Sequence, residues 1–508
     1  MIGLPLLEAF ALGIMGWVVY GAFWRLYLGP LSRFPGPKLA ALTLWYECHL
    51  DILKQGGALY VQEIGRLHKI YDMGPCSAQG PLSEPAPTSS TSQAQTSTER
   101  YMRDIDVTSL PGKSRVEIRP KQWDLLFSMN SIACTEKRLN SLVSKCNILI
   151  FEGTIRKVVD HLCERIPDYR DANKTINLTN AYLAMTMDIA TAYAFGRSSA
   201  LLSQEKFSQK WRYHNHRNAK HCYNESLQMA PSAHGNAASI RYESYQTIEK
   251  QVKEALVYDN ASSKSTTGDT MFERLRDNDE LPPEEKTVRR HTDEATILII
   301  AASESPSKTL SPIHFYLLRN PPILQRVQDE IINLMPDHKT MPSLTQLEQV
   351  PYLSAVIKEG LRLHGDVTAR TQRVAPTKTC TTRTGSSHGY TFSISSVFVH
   401  LNPDIFPDPL AFRPKRWLGK EAMDRRLERY IVAFGKGTQN CIRTNVGMAE
   451  MCVALASVVC HHNPTQPRYL GIVLRDPWSV QVLCLTAPNI IAPKYYRRCN
   501  TGLTHVSF

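Results

Sequence analysis

The chain has 508 residues, 43% of them hydrophobic, and a formal net charge of +12. That length can form one large domain or two or three ordinary ones, and the apolar fraction allows a sizeable core. The positive charge favours an anionic neighbour, either lipid or an acidic protein. The basic residues are scattered and match no nucleic-acid-binding motif, which excludes nucleic acid as the expected partner. The 12 cysteines are dispersed without a repeated C-x-x-C pair, which favours a reducing, cytosol-facing environment.

The chain begins with an apolar segment, residues 2–24, whose only charged residue is Glu8. This segment is long enough to span the hydrocarbon core of a bilayer. Basic residues follow it, and positive charge next to a span marks the cytosolic side. A cleaved signal peptide would need positive charge before the apolar run and a small-residue cleavage site after it, and neither is present. We therefore predict an uncleaved membrane anchor over residues 1–26.

The rest of the chain divides into a hinge and one large body. Residues 27–40 contain the stretch Phe34-Pro35-Gly36-Pro37, which predicts a stiff Pro/Gly-rich hinge. Residues 41–508 are expected to form the functional domain. Within it, residues 72–125 are predicted to be irregular, because they include a long Ser/Thr/Pro-rich stretch with almost nothing to bury.

Apolar residues recur at helical spacing through much of the body, and strand-like pieces are short. The predicted helical segments are 39–71, 139–165, 176–196, 292–303, 320–331 and 352–363. The predicted strand-like pieces are 372–376 and 389–399. The expected fold class is therefore mainly α with small β-sheets.

A cysteine in a glycine-bracketed loop is the strongest chemical candidate. Gly435 and Gly437 follow the apolar run Tyr430–Phe434, and Cys441 precedes a helix-like segment. Glycines let the backbone turn tightly, and the free N–H groups at a helix start favour a thiolate, the form of cysteine that binds metal. An isolated cysteine of this kind is more often a buried structural residue. For the loop alone, both interpretations stay open.

Two other motifs gain meaning from their order along the chain. Glu359 and Arg362 are three residues apart in a predicted helix and share one face. Such a pair is usually exposed to solvent and contributes little to stability. Arg416 follows in the proline-stiffened segment Phe412-Arg-Pro-Lys-Arg-Trp417.

In this order, and with the acid–alcohol pair Glu304-Ser305 that follows the apolar run 292–303, the motifs resemble the heme-thiolate monooxygenases of the cytochrome P-450 family. The resemblance covers residues 1–70 and most of 287–450. The phrases RVAP, NPDIFPDPLAFRP and FGKGT further resemble fungal members that oxidise terpenoid or other secondary metabolites. The resemblance implies the cytochrome P-450 fold with an N-terminal transmembrane helix. It also implies a monooxygenase that inserts one oxygen atom from dioxygen into a lipophilic small molecule.

The resemblance implies which residues would hold the cofactor. Cys441 matches the cysteine whose thiolate is the axial ligand of the iron in heme b. Phe434 matches the aromatic residue beside that thiolate, and Gly435 belongs to the same loop motif. Arg373 matches a position that commonly contacts a heme propionate.

The resemblance also implies supporting and proton-handling residues. Glu359, Arg362 and Arg416 match a buried ion network, in which loss of one member leaves an uncompensated charge. Glu304 and Ser305 match an acid–alcohol pair that relays protons to bound dioxygen. Further implications are electrons from NADPH through a membrane-bound reductase, and a single-pass protein of the endoplasmic reticulum membrane with its catalytic domain facing the cytosol.

Several positions depart from the family pattern. Gln439 stands where the family has an arginine for a heme propionate, and a neutral amide offers no charge. Arg443 stands where the family has a glycine, and it brings bulk and charge to a point of close approach to heme. These departures leave an alternative function open: a catalytically impaired or non-catalytic descendant of the heme fold, from a diverged or mispredicted gene.

Overall fold

The computed structural model describes most of the central and C-terminal body and part of the N-terminal region. The described residues are 3–29, 32, 34–43, 45–50, 59–71, 145–172, 175–207, 235–257, 270–277, 279, 286–335, 340–365, 371–374, 380–382, 385–387, 391–436, 440–461, 470–474 and 480–484. The segment predicted to be irregular, 72–125, lies outside them.

Helices make up most of the described chain. In chain order they are α1 (Gly3–Phe23), α2 (Lys38–Leu42), α3 (Trp45–Cys48), α4 (Tyr60–Ile70), α5 (Lys145–Asp171), α6 (Leu178–Phe195), α7 (Gly235–Val257), α8 (Met271–Arg276), α9 (Val288–Arg319), α10 (Pro321–Ile332), α11 (Leu344–Glu348), α12 (Pro351–His364), α13 (Ser396–His400), α14 (Gly419–Asp424) and α15 (Thr444–His461). Single turns of other helical types are Trp24–Leu28, Leu201–Ser203, Pro414–Trp417 and Leu427–Tyr430.

The strands are short and pair in small antiparallel sheets. They are β1 (Thr175–Asn177), β2 (Thr371–Val374), β3 (Cys380–Thr382), β4 (Gly385–Ser387), β5 (Thr391–Ile394), β6 (Leu470–Leu474) and β7 (Val480–Cys484). One sheet has the order β1-β7-β6, and β2–β5 and β3–β4 form two-stranded pairs. The prediction of a mainly α protein with small sheets is confirmed.

Helix α9 has 32 residues and is the longest of the described elements, and it continues through Pro306 and Pro312. A proline removes the N–H that would bond the carbonyl four residues earlier. Hydroxyl groups donate to other carbonyls of this stretch: Thr186 of α6 to Ser303 O at 2.8 Å, and Thr309 to Ser305 O at 3.0 Å. These bonds tie the proline-containing part of α9 to its neighbour and to itself.

The main hydrophobic core joins α5, α6, α9, α12 and α15, and a second cluster joins α6, α7, α8 and the first half of α9. Tyr193 and Ile442 pack against both clusters. Because Ile442 directly follows Cys441, the cysteine loop enters α15 at the junction of the two cores.

Two predicted segments differ from the observed structure. Strand β5 ends at Ile394, and residues predicted to continue it form helix α13, because the Ser395 side chain accepts a hydrogen bond from Val397 N at 3.3 Å and caps the helix. The helical pattern over 39–71 is divided among α2, α3 and α4, with an extended residue, Thr43, after α2.

The described N-terminal residues form α1, which includes most of the segment predicted as an anchor. Among the residues that the structure describes, no helix combines the length and apolar character needed to cross a membrane.

The close packing of α12 on α9 makes Gly360 sensitive to substitution. A Cβ added at Gly360 would overlap the Cγ1 and Cδ1 atoms of Ile313. We expect Gly360→Ala to lower the free energy of unfolding by about 1–3 kcal/mol, as measured by urea or thermal unfolding. The matched control is Gly153→Ala in α5, where the added Cβ meets nothing within 4 Å and should raise stability by roughly 0.5–1 kcal/mol. Equal effects of the two substitutions would contradict this packing.

Candidate active site

The structure brings Glu359, Arg362 and Arg416 together in one buried network. Glu359 and Arg362 lie on successive turns of α12, and their side chains are both 0% exposed. The Arg362 Nε atom donates to Glu359 Oε2 at 2.9 Å, and its Nη2 donates to Oε1 at 2.8 Å. This two-point contact is the strong form of the arginine–carboxylate pair. Arg416 Nε donates to Glu359 Oε1 at 3.1 Å.

Two further groups bind the same carboxylate. The indole Nε1 of Trp417 donates to Glu359 Oε2 at 2.9 Å, and the backbone N of Arg413 donates to Oε1 at 2.9 Å. Both donors come from the turn that carries Arg416. A single buried carboxylate of α12 therefore holds the whole Phe412–Trp417 segment.

Arg362 extends this network towards the cysteine loop. Its Nη1 donates to His400 O at 2.8 Å and to Pro409 O at 2.7 Å. The ring of His400 is buried, and its Nε2 accepts a hydrogen bond from Val432 N at 3.0 Å. Burial, with a smaller contribution from the charge of Arg362, lowers the pKa of His400 to about 4. The ring is therefore neutral near pH 7 and serves as an acceptor for the segment that leads into the loop.

The cysteine loop is closed by its own backbone. Gly435 has φ +72°, a conformation that other residues rarely adopt. The Cys441 N donates to Phe434 O at 2.7 Å, which closes the loop across its base, and the Thr444 hydroxyl donates to Cys441 O at 2.7 Å. Among the cysteines whose side chains the structure describes, Cys441 is exposed, whereas Cys452 is buried and its thiol has a pKa raised by burial to about 12.

Arg443, which stands at the family's glycine position, is turned into the helix bundle. Its side chain is 9% exposed, and its Nη2 lies 3.7 Å from Oε1 of Glu450, which is 1% exposed. The guanidinium also lies over the ring of Tyr193, at 5.4 Å from the ring centroid. Burial raises the pKa of the Glu450 carboxyl, and the charge of Arg443 acts in the opposite direction.

The acid–alcohol pair lies on α9, where this helix meets α15. A Cβ added at Gly447 of α15 would lie 4.0 Å from Pro306 of α9. Glu304 is buried and its Oε2 pairs with Lys308 Nζ at 3.1 Å. Ser305 is half-buried on the same turn. The two predicted site segments are therefore on neighbouring helices.

Three positions singled out in the sequence have side chains outside the described part of the chain. Arg373 lies in β2, paired with Phe392 of β5, but its side chain lies outside the described part. Gly437 and Gln439 also lie outside the described residues.

The family model for cytochrome P-450 matches residues 133–490, well over half of the chain. The chain belongs to the cytochrome P-450 family. It is a heme-thiolate monooxygenase by membership, and the family implies a heme iron with a cysteine ligand, electrons from a redox partner and hydrophobic substrates.

Fungal cytochrome P-450 enzymes are similar over most of the chain. A cytochrome P-450 monooxygenase TRI4 of Trichoderma arundinaceum is 29% identical over 462 residues, covering 86% of this chain and 85% of the relative. A conidiogenone synthase of Penicillium rubens is 31% identical over 474 residues, covering 88% of this chain and 89% of the relative. A crystal structure of a cytochrome P-450 superposes with a TM-score of 0.56 at 16% identity, covering 73% of this chain and 83% of that one, and this likeness shows the fold.

The residues present fit the heme that membership implies. Cys441 is an exposed residue that lies just before the amino end of α15. A cysteine sulfur is a soft donor suited to iron. The side chain of Arg443 is buried in contact with Tyr193 and Glu450.

Four functional contacts were not predicted from the sequence. Trp417 was visible in the motif with Arg416, but spacing does not show where an indole N–H points. No sequence motif marked the other three residues, His400, Lys308 and Glu450. Only Lys308 and Glu450 lie at helical spacing from a predicted site residue or a departure from the family pattern, four and seven residues away, respectively.

Removing the charge of Glu359 tests the network. We expect Glu359→Gln to lower the free energy of unfolding by about 3–5 kcal/mol, because Arg362 and Arg416 become uncompensated buried charges. Heme content should fall with stability. The matched control is Glu428→Gln. The Glu428 side chain is 72% exposed and pairs with Lys358 of α12, so its replacement should lower the free energy of unfolding by at most about 1 kcal/mol. Thermal unfolding of the purified full chain measures both, and equal losses would show that the network does not support the fold.

Proposed function

We propose that the protein uses heme b, held by the Cys441 thiolate, to insert one oxygen atom from dioxygen into a lipophilic small molecule of secondary metabolism, of a terpenoid-like class. The observation that carries this proposal is the exposed Cys441 in a closed loop at the start of α15. The fungal relatives support the substrate class, since one is named a conidiogenone synthase.

The residues of this chain would divide the work between two helices. When bound, heme b supplies the iron centre at which dioxygen is activated. On the α15 side, Cys441 would supply the thiolate that binds the iron, and Phe434 would pack beside it. Backbone N–H groups of the loop would limit the charge on the sulfur.

On the α9 side, Glu304 and Ser305 would move protons. The Glu304 carboxylate is paired with Lys308, whose side chain is 28% exposed. Ser305 Oγ would pass a proton onward, because a hydroxyl can donate and accept at the same atom. Arg373 would bind a heme propionate by charge-assisted hydrogen bonds.

Electrons would come from NADPH through a reductase. Lys415 is exposed on the turn that Glu359 holds, next to the segment that leads to the cysteine loop. An exposed lysine at this surface would meet an acidic reductase by electrostatic attraction.

The N-terminal segment 1–26 would attach the protein to the endoplasmic reticulum membrane, as a single-pass anchor with the catalytic domain in the cytosol. Large apolar side chains of α1 are exposed, among them Trp17 at 76% and Val19 at 62%. Exposed aromatic and aliphatic side chains on one helix favour insertion in lipid.

The ligand assignment is tested by Cys441→Ala. We expect complete loss of the thiolate-type Soret band in the reduced, CO-bound spectrum, because no sulfur remains at the iron. Cys452→Ala and Cys460→Ala should keep that band, since these cysteines are in the body of α15 and their thiols have a pKa of about 12. A thiolate-type band in Cys441→Ala would refute the assignment. Its absence from the unaltered chain would support the impaired-descendant alternative.

The membrane proposal is tested by charge in α1. We expect the unaltered chain to stay in the membrane pellet after alkaline carbonate washing, and Val18→Arg with Val19→Arg to move it to the supernatant, because each charge in the span costs about 2.5–3.5 kcal/mol. The control is Ile150→Arg in α5, a residue 69% exposed that lies outside the anchor. Release of the unaltered chain by carbonate would sink the proposal.

A further inference from the structure

Arg443 lies at a helix start, where a positive charge is normally unfavourable. Its carbonyl accepts a hydrogen bond from Gly447 N at 2.8 Å, so it is the residue that precedes the first turn of α15. The amino end of a helix carries the positive pole of the macrodipole. An arginine here needs a negative charge close by if its side chain is to be buried.

The carboxyl group of Glu450, in α15 itself, lies beside the guanidinium. Glu450 is seven residues, or about two turns, after Arg443, so the two side chains share one face. The Nη2–Oε1 distance is 3.7 Å. Neither Nη atom of Arg443 nor either carboxylate oxygen of Glu450 makes a hydrogen bond within the described part of the chain. The guanidinium therefore contacts the Glu450 carboxyl and the Tyr193 ring without a hydrogen-bonded fork.

The backbone of Arg443 is coupled to Cys441 through one intervening residue. Ile442 is half-buried and packs against both hydrophobic clusters. The Thr444 hydroxyl binds Cys441 O, and Gly447 N binds Arg443 O. The main chain from Cys441 to Arg443 is thus fixed at both ends, and a change in where the Arg443 side chain lies would move the residue that carries the sulfur.

We propose that Arg443 is a positioning residue of the cysteine loop, which it holds on the α6–α15 bundle through its buried contacts with Glu450 of α15 and Tyr193 of α6. The inference rests on the proposed ligand role of Cys441. It gives the arginine a supporting role, although its position alone, at a family glycine, suggests interference with heme. Replacing Arg443 should therefore weaken thiolate ligation rather than improve it.

The test is a double-mutant cycle in the full-length protein: Arg443→Met, Glu450→Gln and both together. Each single change strands a buried charge or polar group, so we expect the thermal midpoint to fall by at least about 5 °C. The share of the reduced, CO-bound protein with a thiolate-type Soret band should fall about twofold or more in each. The double variant should recover at least half of both losses, because no stranded charge remains. Arg443→Lys, which keeps the charge, should lie between Arg443→Met and the unaltered chain.

The control pair is Lys253–Glu249 of α7, whose side chains are 55% and 33% exposed. Lys253→Met should leave both readouts unchanged. Additive losses in the double variant, or a higher thiolate-type share in Arg443→Met, would overturn the proposal. If the unaltered chain shows no thiolate-type spectrum, the proposed ligand role fails. The thermal cycle then still decides whether the side chains of Arg443 and Glu450 are energetically coupled.

Discussion

The buried carboxylate of Glu359 is the constraint on which the cysteine side of the molecule depends. A carboxylate removed from water is tolerated only when charges and hydrogen bonds replace its hydration. Here Arg362, Arg416, Trp417 and the Arg413 backbone N all donate to it. Since Arg362 also binds the carbonyls of His400 and Pro409, one carboxylate links α12 to chain segments more than 35 residues away.

A second buried pair, Arg443–Glu450, is built differently. Both pairs exclude water, but the Glu359 carboxylate is bound on both oxygens, whereas the Glu450 oxygens make no hydrogen bond to described residues. A fully bonded buried network is rigid, and a partly bonded one depends on the exact placement of its neighbours. The first pair therefore fixes the scaffold. The second adjusts the chain next to the ligand and depends on how α6 presents Tyr193.

The sequence predicted the helical body and the order of the site motifs, but not the contacts that join them. Glu359 and Arg362 could be placed on one face because helix geometry fixes a three-residue spacing. Trp417 and His400 could not, because their partners are 58 and 32 residues away and only the folded chain brings them together. The segment after Ile394 was predicted as strand because its apolar run, SVFV, suits either state. The Ser395 side chain caps the first turn there and stabilises a helix instead.

Arg443 shows why a departure from a family pattern needs its structural partner before it can be interpreted. Comparison with a glycine predicts only added bulk and charge, because the comparison is made at one position. The partner, Glu450, lies two helical turns after Arg443. It can be identified from helical spacing once α15 is known to begin at Thr444. The two ends of the cysteine loop then have separate supports: the α12 network acts through His400 and Val432, and the α6–α15 core acts through Arg443. The position of the Cys441 sulfur thus follows from how these helices pack, so changes deep in the core can reach the ligand without touching the loop.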